Sequence, residues 1–136
     1  MPNLALIQGR IVPLKDARVP VEDRGFQFGD AVYEVIRTYG GRPFALSMHV
    51  ARLRRSARAV DLPVPWDDER LTRWISRLIR RSGFREAKIY VQVTRGEAPR
   101  NHPYPAVVRP ALVMTVRRLV APDPALHARG FDRVSP

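Results

Sequence analysis

The sequence predicts an α+β fold, a mainly antiparallel sheet with two helices packed on one face. Three observations carry this. β-rich runs gather towards both ends of the sequence, two stretches of helical period lie between them, and the short connections favour antiparallel pairing.

Leu4 to Leu14 is apolar with a Gly9-Arg10 break, which reads as a strand pair around a tight turn. A polar connection, Lys15 to Asp30, follows and ends in the run Asp23-Arg24-Gly25-Phe26-Gln27-Phe28-Gly29-Asp30. Ala31 to Tyr39 is rich in β-branched and aromatic residues, stops at Gly40-Gly41 and resumes at Arg42 to Ala45, a hairpin signal. Strand alternation puts Tyr33, Val35 and Arg37 on one face and Val32, Glu34, Ile36 and Thr38 on the other. A tyrosine in such a strand ordinarily fills core, with its hydroxyl satisfied at the edge.

Leu46, Val50, Leu53, Ala57 and Val60 fall at helical spacing, with Ser47 available as N-cap. Arg52 sits early on this helix beside the apolar stripe, where its guanidinium can reach an anion, although a solvated helix face accounts for it equally well; His49 shares its side and reads as structural. The second helix starts near Trp66-Asp67-Asp68-Glu69, acids that suit the positive end of the helix dipole. Leu71, Trp74, Ile75 and Leu78 form its stripe, and Arg80-Arg81 followed by Ser82-Gly83 end it. Ala87 to Thr94 and Ala111 to Val116 are β-rich. Beyond Val120, Ala121-Pro122-Asp123-Pro124 marks a linker, so residues 1–120 read as one domain and 121–136 as an appended segment.

The 136 residues include 24 Lys+Arg against 13 Asp+Glu, a formal charge of +11, and no Cys. The absence of Cys excludes disulfides, thiolate metal sites and a cysteine nucleophile. His49, His102 and His127 are isolated and make no familiar metal spacing. No apolar run approaches the roughly 20 residues that span a bilayer, and the start lacks a secretory pattern, so a soluble, cytoplasmic protein is expected. All but Lys15 and Lys88 of the basic residues are Arg, and a mechanism needing a lysine amine therefore has two candidates. A nucleic-acid-binding module is the alternative from another class, motivated by the charge. Against it, the aromatic residues are not interleaved with the Arg residues as a stacking platform requires.

The long connection from Arg95 to Pro110 is the most functional-looking loop. Arg100 and His102 stand two apart in it, braced by Pro99, Pro103 and Pro105, a suitable trap for a carboxylate. An Arg and a His merely exposed on an Arg-rich chain fit the same residues. Phosphate loops, dinucleotide fingerprints, zinc-protease and nucleophile-elbow motifs are all missing.

From Val21 to Val35 the sequence resembles the class IV aminotransferases, fold-type IV enzymes that use pyridoxal 5'-phosphate, and within them the D-amino-acid transaminases. The similarity continues through Tyr39 to Phe44, His49 to Leu53 and Ser56-Ala57, then Ile89 to Gly96, Pro99-Arg100 and His102. The resemblance implies the N-terminal domain of that fold and transamination between a D-amino acid and a 2-oxo acid. It assigns Arg52 to the cofactor phosphate, Tyr33, Arg100 and His102 to the substrate carboxylate, and Val35 to the substrate side. It also implies a homodimer in which the Arg/His loop reaches into the partner's site. Branched-chain aminotransferases and aminodeoxychorismate lyases are the related alternatives, and Tyr33, Arg100 and His102 argue against both. Ala31 stands where relatives commonly have Gly. The family's Schiff-base lysine matches neither Lys15 nor Lys88; it is expected a little beyond Pro136, so the sequence reads as a truncated N-terminal portion with Arg129 to Pro136 as the run-up. The chain alone is then expected to be inactive. Incubation with pyridoxal 5'-phosphate, borohydride reduction and mass mapping should leave Lys15 and Lys88 without a stoichiometric pyridoxyl adduct.

Overall fold

The computed structural model describes residues 2–130. The end of the expected linker and most of the run-up, residues 131–136, lie outside that range. Six strands form one sheet in the order β2-β1-β6-β5-β3-β4, every neighbouring pair antiparallel. They are β1 (Leu4–Ile7), β2 (Arg10–Pro13), β3 (Ala31–Tyr39), β4 (Arg42–Pro43), β5 (Ala87–Thr94) and β6 (Ala111–Arg118). The helices are α1 (Arg24–Phe28), α2 (Leu46–Ala59), α3 (Asp68–Ser82) and α4 (Pro124–Arg129). α2 lies on β3, and α3 crosses β1, β5 and β6.

Both hairpins turn at their glycines, the first one residue earlier than expected, at Gln8-Gly9, with Arg10 already in β2. Gln8 and Gly9 have φ of 48° and 84°, and Gly40 and Gly41 have φ of 59° and 84°. Two consecutive positive-φ residues match the right-handed twist of the strands they join. Alternation then decides what is buried. Val32 and Ile36 of β3, Ile89, Val91 and Val93 of β5, and Leu112, Met114 and Val116 of β6 all face the helices. Leu53 of α2 and Leu71, Ile75 and Leu78 of α3 close this core, each burial worth roughly 1.5–3 kcal/mol.

α3 follows its sequence signals closely. Asp67 caps it, accepting from Arg70 N at 2.7 Å, and Gly83 ends it with φ of 70°. The entry to α2 differs from expectation. Ser47 is not the cap; Ala45 occupies that position at φ 50° with no side-chain cap bond, and the helix starts at Leu46. The cause is the preceding hairpin. Phe44 N still donates to Arg37 O at 2.8 Å, so the chain must turn from sheet into helix at the next residue.

The polar connection holds a helix that its sequence did not signal. Asp23 caps α1 by accepting from Gly25 N at 2.8 Å, and Gly29 closes it in the left-handed region. This segment is stitched to the end of β5. Arg24 N donates to Gly96 O (2.9 Å), Arg95 N to Asp30 O (3.1 Å), and Thr94 Oγ1 to Asp23 Oδ2 (2.9 Å). Gly96 is indispensable here: φ is +89°, and an added Cβ would lie 1.9 Å from Arg109 O. Gly96→Ala combines a left-handed strain with overpacking against backbone, and should cost roughly 2–5 kcal/mol in urea unfolding.

Candidate functional site

β3 presents different chemistry on its two faces. Towards α2 it places Glu34 between Val32 and Ile36, a carboxylate 4 % exposed on the core side of the sheet. Burying it requires a cation. α2 supplies one from a single helical turn, because His49 and Arg52 are three apart and point the same way. Arg52 donates through Nε to Glu34 Oε1 (2.6 Å) and through Nη2 to Oε2 (2.7 Å), and His49 Nδ1 lies 2.7 Å from Oε2. The Arg52 hydrogen bond, with help from His49, holds the Glu34 carboxyl below its ordinary value against the opposing effect of burial. Glu34 in turn raises the Arg52 guanidinium.

The Arg52 side chain is 58 % exposed. Two of its five N–H groups bind Glu34, and the other three have no partner among the described residues. Such a fork, oriented by a buried carboxylate and open to solvent, has the donor set that a phosphate needs.

The opposite face of β3 carries Tyr33 and Val35. Tyr33 does not fill core: it is 61 % exposed, because the helices cover the other side of the sheet. Its ring stacks on Tyr90 with centroids 5.4 Å apart. Tyr90 donates to Gln92 Oε1 at 2.6 Å, and burial, with Tyr33 nearby, pushes its phenol up from the ordinary value. Val35, Tyr90, Gln92, Thr115 and Lys88 line a shallow cavity of about 350 Å³ on this face. Lys15 lies elsewhere, in the 3-10 turn Leu14–Asp16 that follows β2.

Arg100 and His102 are exposed on the loop between β5 and β6, gathered at one aromatic ring. The Arg100 guanidinium lies 5.0 Å from the Phe28 centroid, and the His102 ring 5.5 Å from it. Tyr33 engages Tyr90 while this pair engages Phe28; among the described residues no hydrogen bond or ring contact joins the two groups.

Beneath the loop is a cluster that sequence reading passed over. Arg24 (3 % exposed) and Arg95 (2 %) both donate through Nε to the Asp30 carboxylate, at 2.8 Å and 2.9 Å to Oδ2. Arg95 then reaches Asp61 O (3.0 Å) and Val60 O (2.8 Å), and stacks 3.8 Å from the Tyr104 centroid. In a chain with so many exposed arginines nothing local marks these two. Glu34 did carry a signal, since alternation had already put that carboxylate on one face with the apolar Val32 and Ile36.

The sequence model of the family described as amino-transferase class IV matches residues 31–134. D-alanine aminotransferase of Listeria innocua serovar 6a is 45 % identical over 101 residues, covering 74 % of this chain and 35 % of that protein. The chain thus spans about a third of the length of the curated relatives it matches. The T.th. branched-chain amino acid aminotransferase, in its structure with pyridoxamine 5'-phosphate, superposes with a TM-score of 0.80 at 25 % identity, over 89 % of this chain and 41 % of its own. 4-Amino-4-deoxychorismate lyase from Pseudomonas aeruginosa gives 0.74 at 28 %, over 93 % and 43 %.

The lowered Glu34 carboxyl contributes stability that is complete above its ordinary value of 4.5 and disappears as pH falls through the lowered one. Glu34→Gln should therefore unfold at a lower urea concentration than the wild type at pH 7, and the gap should close in acid, below the ordinary glutamate range.

Proposed function

Because the chain belongs to the class IV aminotransferases, we propose that it forms the substrate- and phosphate-anchoring part of a pyridoxal 5'-phosphate-dependent transaminase acting on D-amino acids and 2-oxo acids. The observation that carries the reading is the gathering of Arg100 and His102 on Phe28, a guanidinium and an imidazole brought together as N–H donors of the kind a carboxylate seeks. Support for the D-amino-acid class comes from the curated D-alanine aminotransferases, 45 % identical in the case above, against 25–28 % for the branched-chain and lyase structures.

Each residue has one task in this reading. Arg52, oriented by Glu34, holds the cofactor phosphate. Arg100 and His102 bind the α-carboxylate of the amino acid or oxo acid, with Tyr33 donating its phenolic proton to the same group. Val35 borders the side chain of the substrate. When bound, the cofactor supplies an electron sink for the bond broken at Cα, and the protein's part is to fix the carboxylate and so aim that bond. Two copies of the chain complete the arrangement, the Arg100/His102 loop of one protomer facing Tyr33 and Val35 of its partner. That assembly suits a chain in which the two groups lie apart.

In an assay with pyridoxal 5'-phosphate, D-alanine and 2-oxoglutarate, the protein carrying this chain should form pyruvate. Arg100→Met should raise KM for both substrates by about 10–100-fold, the loss of one charge-assisted hydrogen-bonded pair. A preference for L-leucine over D-alanine, or an unchanged KM in the variant, refutes the assignment.

A further inference from the structure

Arg24 holds three things at once. Its Nε donates to Asp30 Oδ2 (2.8 Å), its Nη1 to Asn101 O (2.5 Å) and its Nη2 to His102 O (3.1 Å). The two carbonyls belong to the residues immediately after Arg100, so the fork grips the main chain of the segment that presents Arg100 and His102. Its guanidinium also lies 5.0 Å from the Phe28 centroid, the ring against which Arg100 and His102 rest. Few other polar contacts hold this stretch: Pro99, Pro103 and Pro105 lack N–H groups, and among the described residues no backbone–backbone hydrogen bond involves Arg100 to Tyr104.

We propose that Arg24 is a positioning residue for the carboxylate-binding loop, fixing the backbone of Asn101 and His102 so that Arg100 and His102 face the substrate together. The carboxylate half of this inference rests on the function proposed above; the loop half does not. Only a guanidinium can do this. A planar fork delivers three N–H groups in fixed directions to a carboxylate on one edge and two consecutive carbonyls on the others, whereas a lysine ammonium is a compact charge that cannot span them. The anchor is itself held in place from a second side, because Asp30 also accepts from Arg95, which is 2 % exposed.

The sharing also makes the test practical. Removing Arg24 leaves Asp30 with its Arg95 partner, so no buried charge is orphaned. Native-state trypsin cleavage of the Arg100–Asn101 bond, read by mass spectrometry, should accelerate by roughly tenfold or more in Arg24→Met as the loop gains freedom to open. Cleavage of Arg77–Leu78, inside α3, should stay at the wild-type rate and so report an intact fold. Arg24→Lys should accelerate the loop cut in the same way despite keeping the charge. Calorimetric affinity for 2-oxoglutarate should fall about tenfold in Arg24→Met and in Arg100→Met, as expected when a charge-assisted contact is lost or misaligned. An unaccelerated loop cut in Arg24→Met, or wild-type behaviour of Arg24→Lys, overturns the positioning role. Wild-type 2-oxoglutarate affinity in Arg100→Met sinks the carboxylate reading, and with it any role for Arg24 in substrate binding, even where the loop has loosened.

Discussion

One carboxylate organises the functional end of this chain. Asp30 accepts from two buried guanidiniums, and each of those spends its remaining donors on a different segment: Arg24 on the carbonyls of Asn101 and His102, Arg95 on those of Val60 and Asp61. Two cations against one anion would be costly in a dry interior, since burial of an unmatched charge is resisted strongly. Four backbone carbonyls and the faces of Phe28 and Tyr104 make up the difference. The α1 turn, the C-terminal turn of α2 and the long β5–β6 loop thereby become one unit at the end of the sheet.

The sheet adds a second constraint. Because β3 alternates strictly, the chemistry of adjacent residues is split between faces: Tyr33 and Val35 look away from the helices and Glu34 looks towards them. An inward carboxylate is tolerable only with a cation over it, and the helix that covers β3 carries Arg52 and His49 at the right turn. The same contact that neutralises Glu34 also orients Arg52, whose outer N–H groups face solvent. Packing of the core and the orientation of an exposed guanidinium are coupled through one glutamate.

Much of the architecture is legible in the sequence. The two Gly-containing turns, the apolar stripes of α2 and α3, and the limits of β5 follow from period and turn chemistry, which act within a few residues. The α2 cap departs from the local signal because the hairpin ahead of it, a feature of β3 and β4 together, outweighs the preference of Ser47. α1 gives no such signal because five residues are too few to show a helical period, and its stability comes from Thr94 and Gly96, some seventy residues away. Alternation places Tyr33 on the correct strand and face; which face is the covered one depends on where the helices fall.

The sequence by itself determined the types of the longer elements, the hairpin turns, the alternation that separates Tyr33 and Val35 from Glu34, and a motif set resembling one enzyme family. Those are properties of neighbouring residues, written into propensity and spacing. Tertiary structure alone decided which of the 22 arginines are buried and which are braced by a carboxylate. Arg24, Arg52 and Arg95 are chemically identical to the rest and acquire their settings from partners 6 to 78 residues distant, Asp30, Glu34 and the carbonyls of Asn101 and His102 among them. A guanidinium's function is set by the acceptors arranged around it, and only folding arranges them.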